Sequence, residues 1–132
     1  MQLSLSLLVL CLAVAMVYLL WWRGRGPRDG DAQVVLQLKK AGSDISKPHD
    51  IEFFLYFATE ASAQHTAEKM RGLGFQPEVK AAADGATMPW LVFATRRMVP
   101  ELSELHRLRA SLNILAASEN GEFDGWGTPV VQ

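Results

Sequence analysis

The sequence predicts an α+β domain, and three observations carry that prediction. Beyond residue 30, stretches with period-two alternation take turns with stretches of helical periodicity. Gly, Pro and Asp residues punctuate the boundaries between them. The order is a short helix and then strand, helix, strand, strand, helix, strand.

Asp29 and Asp31 stand where capping acids belong, ahead of a helix from Ala32 to about Ala41. Val34, Val35 and Leu38 fall on its apolar side, and Gly42 is a C-terminal stop. Ser43 to Asp50 reads as a loop containing Pro48. In the first strand, Ile51 to Phe57, residues Ile51, Phe53, Leu55 and Phe57 share one face, with Glu52, Phe54 and Tyr56 on the other. Two aromatics on that second face predict that it is only partly solvated.

Thr59 is placed to cap a helix from about Glu60 to Gly72, with Ala63, Ala67 and Met70 as its inner stripe. Phe75 to Ala81 is the second strand, and Pro77 confines it to a sheet edge or a bulge because it has no N–H to donate. Ala83-Asp84-Gly85-Ala86 is a hairpin turn leading into a third strand, Met88 to Arg97. Along it Trp90, Val92 and Ala94 alternate with Leu91, Phe93 and Thr95. Pro100 suits the first position of a helix reaching about Ser118, along which Leu102, Leu105, Leu108, Leu112 and Leu115 recur at spacings of three and four. Gly121 introduces a last strand, Glu122 to Val130. The resulting β-α-β-β-α-β order is the ferredoxin-like split βαβ pattern, an antiparallel four-stranded sheet with two helices on one face.

Ahead of this domain, residues 1–22 carry no charged side chain, and Leu3 to Trp22 is dominated by Leu, Val and Ala. A helix of about twenty residues extends about 30 Å, the thickness of a bilayer's hydrocarbon core. Tyr18, Trp21 and Trp22 suit the headgroup level, and Arg23, Arg25 and Arg28 follow at once. A cleaved signal peptide has its cations before the apolar stretch and small residues after it, the reverse of this order. The expectation is a transmembrane helix over 1–22, a basic linker over 23–30 and a domain over 31–132. By the positive-inside rule the domain then faces the cytoplasm, in a single-pass protein of a bacterial inner membrane.

The charge balance narrows the partner. After the three linker arginines are set aside, ten basic side chains face fourteen acidic ones, about −4 for the domain. That favours a protein partner over nucleic acid, which requires a basic stripe for counterion release. The lone Cys11 lies within the apolar stretch, so there is no disulfide framework.

Candidate chemistry is sparse. His49, His65 and His106 show no metal-ligand spacing, and no cofactor motif is present. Ser43 and Asp44 lie near His49 but outside any nucleophile elbow, which points to capping or turn roles. Glu101 and Glu104 read as solvated, with Glu104 able to pair with Arg107. The expectation is a protein that is not an enzyme. An RRM has the same element order, with aromatics such as Phe54, Tyr56, Trp90 or Phe93 stacking bases. The third strand, however, lacks the basic-Gly-aromatic pattern of that module, and Arg96 and Arg97 are its only basic pair. A scaffold that pairs through its sheet face is a third reading.

Phe123-Asp124-Gly125-Trp126-Gly127-Thr128 is the most distinctive segment. Asp124-Gly125 can form a bend or bulge, and the glycines leave room around the strand. Trp126 then either fills a core or groove, or stands exposed as an anchor for a partner. This segment resembles the aromatic-Asp-Gly-Trp-Gly-Thr signature of the RraB family, regulators that inhibit ribonuclease E. Gly42-Ser43-Asp44 after a short helix, and then the aromatic strand Ile51 to Phe57, follow the family's order. The likeness covers most of Asp31 to Val131. It implies a regulator, here carried on a membrane anchor, that binds and restrains a ribonuclease E-like endonuclease, with Phe123 to Thr128 in or beneath the docking surface.

Overall fold

A computed structural model describes residues 14–17, 29–82 and 85–132. From residue 30 onward the elements are α1 (Gly30–Lys40), β1 (His49–Phe57), α2 (Glu60–Gly72), β2 (Gln76–Ala81), β3 (Trp90–Met98), α3 (Leu102–Ser118) and β4 (Glu122–Gly127). The four strands form one sheet in the order β2-β3-β1-β4, with every neighbouring pair antiparallel.

Hydrophobic alternation decides which side of the sheet is covered. Ile51, Phe53, Leu55 and Phe57 of the central strand β1 are all at most 1% exposed, whereas the residues between them are only partly buried. Ala63, Ala67 and Met70 of α2 join the same core as Leu105, Leu108, Leu112 and Ala116 of α3, together with Val92 and Ala94 of β3. The small residues on α2 let that helix lie close to the sheet. Thr59 caps it, its hydroxyl accepting from the Ser62 N–H at 3.2 Å. Residues 31–132 make up one unit.

Pro77 does lie on an edge strand, β2, where its missing N–H costs the sheet little. Other boundaries shift for identifiable reasons. β1 starts at His49, paired with Met98, because the imidazole is buried and hydrogen-bonded instead of lying in a solvated loop. α3 starts at Leu102, with Pro100 ahead of the extended cap residue Glu101. β4 stops at Gly127, short of Val130: Pro129 cannot donate, and the backbone of Val131 bonds to Ser43 and Asp44 instead. Ala83 and Asp84 of the expected hairpin turn lie outside the described residues.

The expected single-pass location in an inner membrane is corrected. Among the described residues no helix is long and apolar enough to cross a membrane. A span requires about 20 apolar residues in continuous helix. The described helix α3 is 17 residues long in all and includes Glu104, Arg107 and Arg109, and residues 14–17 are four helical positions. Tyr18, Trp21, Trp22, Arg23, Arg25 and Arg28, expected at a membrane interface, lie outside the described residues.

Candidate functional site

The β4 segment is organised by a bulge. Opposite β1, Gly127 pairs with Glu52, Trp126 with Phe53 and Gly125 with Phe54; the register then shifts, so that Phe123 pairs with Leu55. Asp124 is the extra residue. In a regular strand, residues three apart point to opposite faces. One inserted residue resets the phase, so Phe123 and Trp126 both turn toward the helices while Gly125 and Gly127 occupy the opposite face. Gly125 sits at φ 151°, a conformation that side-chain-bearing residues rarely adopt.

On the inner side, Trp126 is 8% exposed and its indole N–H donates to Asp31 Oδ1 at 2.9 Å. Asp31, in the first turn of α1, is 1% exposed. Arg109 of α3 reaches the same carboxylate, with Nε 3.0 Å from both oxygens and Nη2 2.7 Å from Oδ1. The guanidinium also lies 5.1 Å from the centre of the Phe123 ring. One buried carboxylate thus ties α1, α3 and β4 together. Burial, the largest single influence, pushes the Asp31 pKa up. The hydrogen bonds from Arg109 and Trp126, with the charges of Arg109 and His106, outweigh it and hold the group below its ordinary value.

On the outer side, a Cβ added at Gly125 or Gly127 meets nothing within 4 Å, so β4 leaves an open shelf at the sheet edge beside the side chains of β1. Phe54 is the β1 residue paired with Gly125, and its ring packs edge-on against Phe93 of β3 at 5.5 Å. Lys80 lies 4.8 Å over the Phe93 ring. Phe54, Tyr56, Leu91 and Phe93 are all partly exposed, whereas the residues alternating with them are covered by helices.

Residues 28–128 match the family model described as Regulator of ribonuclease activity B. The chain belongs to the RraB family. Its function class is therefore regulation of ribonuclease activity. No curated protein matched the chain.

The RraB match takes in both the β4 motif and the Asp31 tie, and ends at Thr128. Of the residues expected to bind a partner, Phe123 and Trp126 are turned inward, and the exposed-anchor role for Trp126 is overturned by its burial and its bond to Asp31. Asp124 is exposed at the bulge, Gly125 and Gly127 face outward, and the Thr128 hydroxyl donates to the Asp50 carbonyl at 3.1 Å. Asp31 is not the simple cap expected of it. In the RraB domain it is an interior acceptor, and only its place in a first helical turn hinted at a special role.

A second tie holds the chain beyond β4. His49 Nδ1 lies 2.7 Å from the Lys47 carbonyl, which can only accept, so this nitrogen carries a proton. In the neutral ring Nε2 then accepts from Ser43 Oγ at 2.7 Å, while Ser43 Oγ accepts the Val131 N–H at 2.9 Å. The Asp44 N–H donates to the Val131 carbonyl at 2.7 Å. Ser43 and His49 are both buried, and their bond fastens a terminal segment.

Proposed function

We propose that this chain binds and inhibits or otherwise modulates an RNA-processing endonuclease resembling ribonuclease E, and that it does so without catalysis of its own. The observation that carries the reading is the bulged β4 within the family match: it presents an open, aromatic-flanked face of a ferredoxin-like sheet. On this reading Asp124, Gly125, Gly127 and Thr128 form part of the contact, whereas Phe123 and Trp126 hold it from beneath. A chain that works by docking needs a rigid, exposed surface, and the Asp31 tie supplies the rigidity.

The test is a cleavage assay with the full chain titrated into a purified ribonuclease E-type endonuclease acting on a single-stranded RNA. The expected result is a dose-dependent slowing together with a complex that survives RNA removal. Unchanged cleavage and no complex refute the proposal.

A second reading, direct RNA binding, is favoured by one observation, the Phe54–Phe93 pair on adjacent strands β1 and β3. It is the weaker one, because acidic side chains outnumber basic ones around those rings: Asp50, Glu52, Glu78 and Glu122 against Lys80 and Arg97.

A further inference from the structure

We infer that the open shelf over Gly125 and Gly127 is a docking surface for arginine side chains of the protein partner, stacked on Phe54 and Tyr56 and paired with Glu52 and Glu122. This rests on the regulator reading above and adds the chemistry of what is recognised.

The charges of the open face divide unevenly. On the β2–β3 side, Lys80 pairs with Glu78 at 3.5 Å, and at the far end of the central strand Arg97 pairs with Asp50 at 3.3 Å. No cation among the described residues pairs with Glu122 or Asp124 of β4, or with Glu52 beside it on β1. Glu52 lies opposite Gly127, and Glu122 opposite Tyr56. The surplus negative charge therefore borders the one part of the face where the strand carries no side chain.

The rings add a preference among cations. Phe75, Phe93 and Phe123 each already have a basic side chain over the ring, from Arg96, Lys80 and Arg109 respectively. Phe54 and Tyr56 have none among the described residues, and both are partly exposed. A guanidinium is planar, stacks on an aromatic ring and meets a carboxylate with two parallel N–H groups, whereas an ammonium does neither as well. The inner side of this sheet shows the same combination, with Arg109 lying over Phe123 and bound to the Asp31 carboxylate. The open shelf lets the partner's chain approach the β4 backbone, so its arginines extend sideways to the rings and carboxylates.

The experiment measures binding of the full chain to a fluorescein-labelled peptide of alternating Arg and Ser, with Lys and citrulline versions as controls. Binding to the purified ribonuclease E-type endonuclease is measured in parallel. The variants are Glu52→Gln combined with Glu122→Gln, and separately Gly127→Met, which covers the shelf from a position whose added side chain meets open space. Thermal unfolding confirms that both variants remain folded. The expected result is saturable binding of the Arg peptide, at least fivefold weaker for Lys and absent for citrulline, with each variant losing at least tenfold. Equal binding of Arg and Lys peptides, or a double-Gln variant within twofold of the wild type, overturns the inference. A labelled U-rich RNA that binds this face, and binds more tightly once the carboxylates are removed, also overturns it. If the endonuclease binds the wild type and the double-Gln variant equally, the arginine inference fails and the regulator reading stands. If the peptide behaves as expected but the endonuclease does not bind, the regulator reading fails and the arginine site stands.

Discussion

Replacing Trp126 by Phe tests the tie beneath the docking face. The substitution keeps an aromatic ring in the core but removes the N–H that reaches Asp31 at 2.9 Å. A hydrogen bond to a charged acceptor contributes about 1.5–3 kcal/mol. The missing part of the indole leaves a void at a position 8% exposed, which adds on the order of 1 kcal/mol. The sum is roughly 2.5–4 kcal/mol, or a fall of about 10–25 °C in Tm for a domain of this size. Circular dichroism of the full chain during heating and urea titration measures it. A double-mutant cycle with Asp31→Asn separates the bond from the packing, and a coupling of about 1 kcal/mol or more is expected. The pH dependence follows from the lowered pKa of Asp31. Its contribution is complete above the ordinary value of 3.8 and is lost as pH falls through the still lower value of the folded state. The hydrogen-bond part of the gap between wild type and Trp126→Phe is therefore lost only in that acid range, while the packing part persists. A loss under about 1 kcal/mol at neutral pH, or a coupling near zero, refutes the tie.

Three further outcomes are expected. Gly125→Ala forces a side chain into a φ of 151° and costs about 1–2 kcal/mol, whereas Gly127→Ala stays within about 0.5 kcal/mol; equal effects by denaturant titration contradict the bulge geometry. Ser43→Ala removes the partner of both His49 and the Val131 N–H, costing about 1–3 kcal/mol, and hydrogen exchange at Val131 accelerates; unchanged exchange argues against the clamp. Leu112→Ala, at 1% exposed, costs about 2–5 kcal/mol, while Ile114→Ala, at 73% exposed, changes stability by less than about 0.5 kcal/mol; similar losses invert the assignment of the inner face of α3.

Local periodicity made the elements legible. Ile51 to Phe57 and the leucines of α3 each carry a pattern that fits one conformation, and burial in the folded domain follows it. The aromatics on the second face of β1 are only partly solvated, as expected, and the Phe54 ring is shielded by the Phe93 ring of the adjacent strand. The tie at Asp31 was not legible. Its partners, Arg109 and Trp126, are 78 and 95 residues away, and no local rule links such positions. The inward turn of Trp126 was equally hidden, since it depends on the register shift at Asp124, and one residue of slip exchanges the two faces of a strand. The end of β4 was misplaced because Pro129 has no N–H to donate and the Val131 backbone bonds to Ser43 and Asp44 instead of to a strand.

The strand order sets a timetable for synthesis. β1 lies inside the sheet, yet its second neighbour, β4, is the last strand to be made, beginning at Glu122. While the intervening residues are added, at about 5–20 per second, the most hydrophobic strand has one unpaired edge for several seconds. During that interval α1 holds its aspartate ready while the indole that will bind it does not yet exist. A nascent or truncated chain that stops before Glu122 thus offers an open β1 edge to any extended segment nearby, including another copy of itself. The finished domain closes that edge with its own last strand.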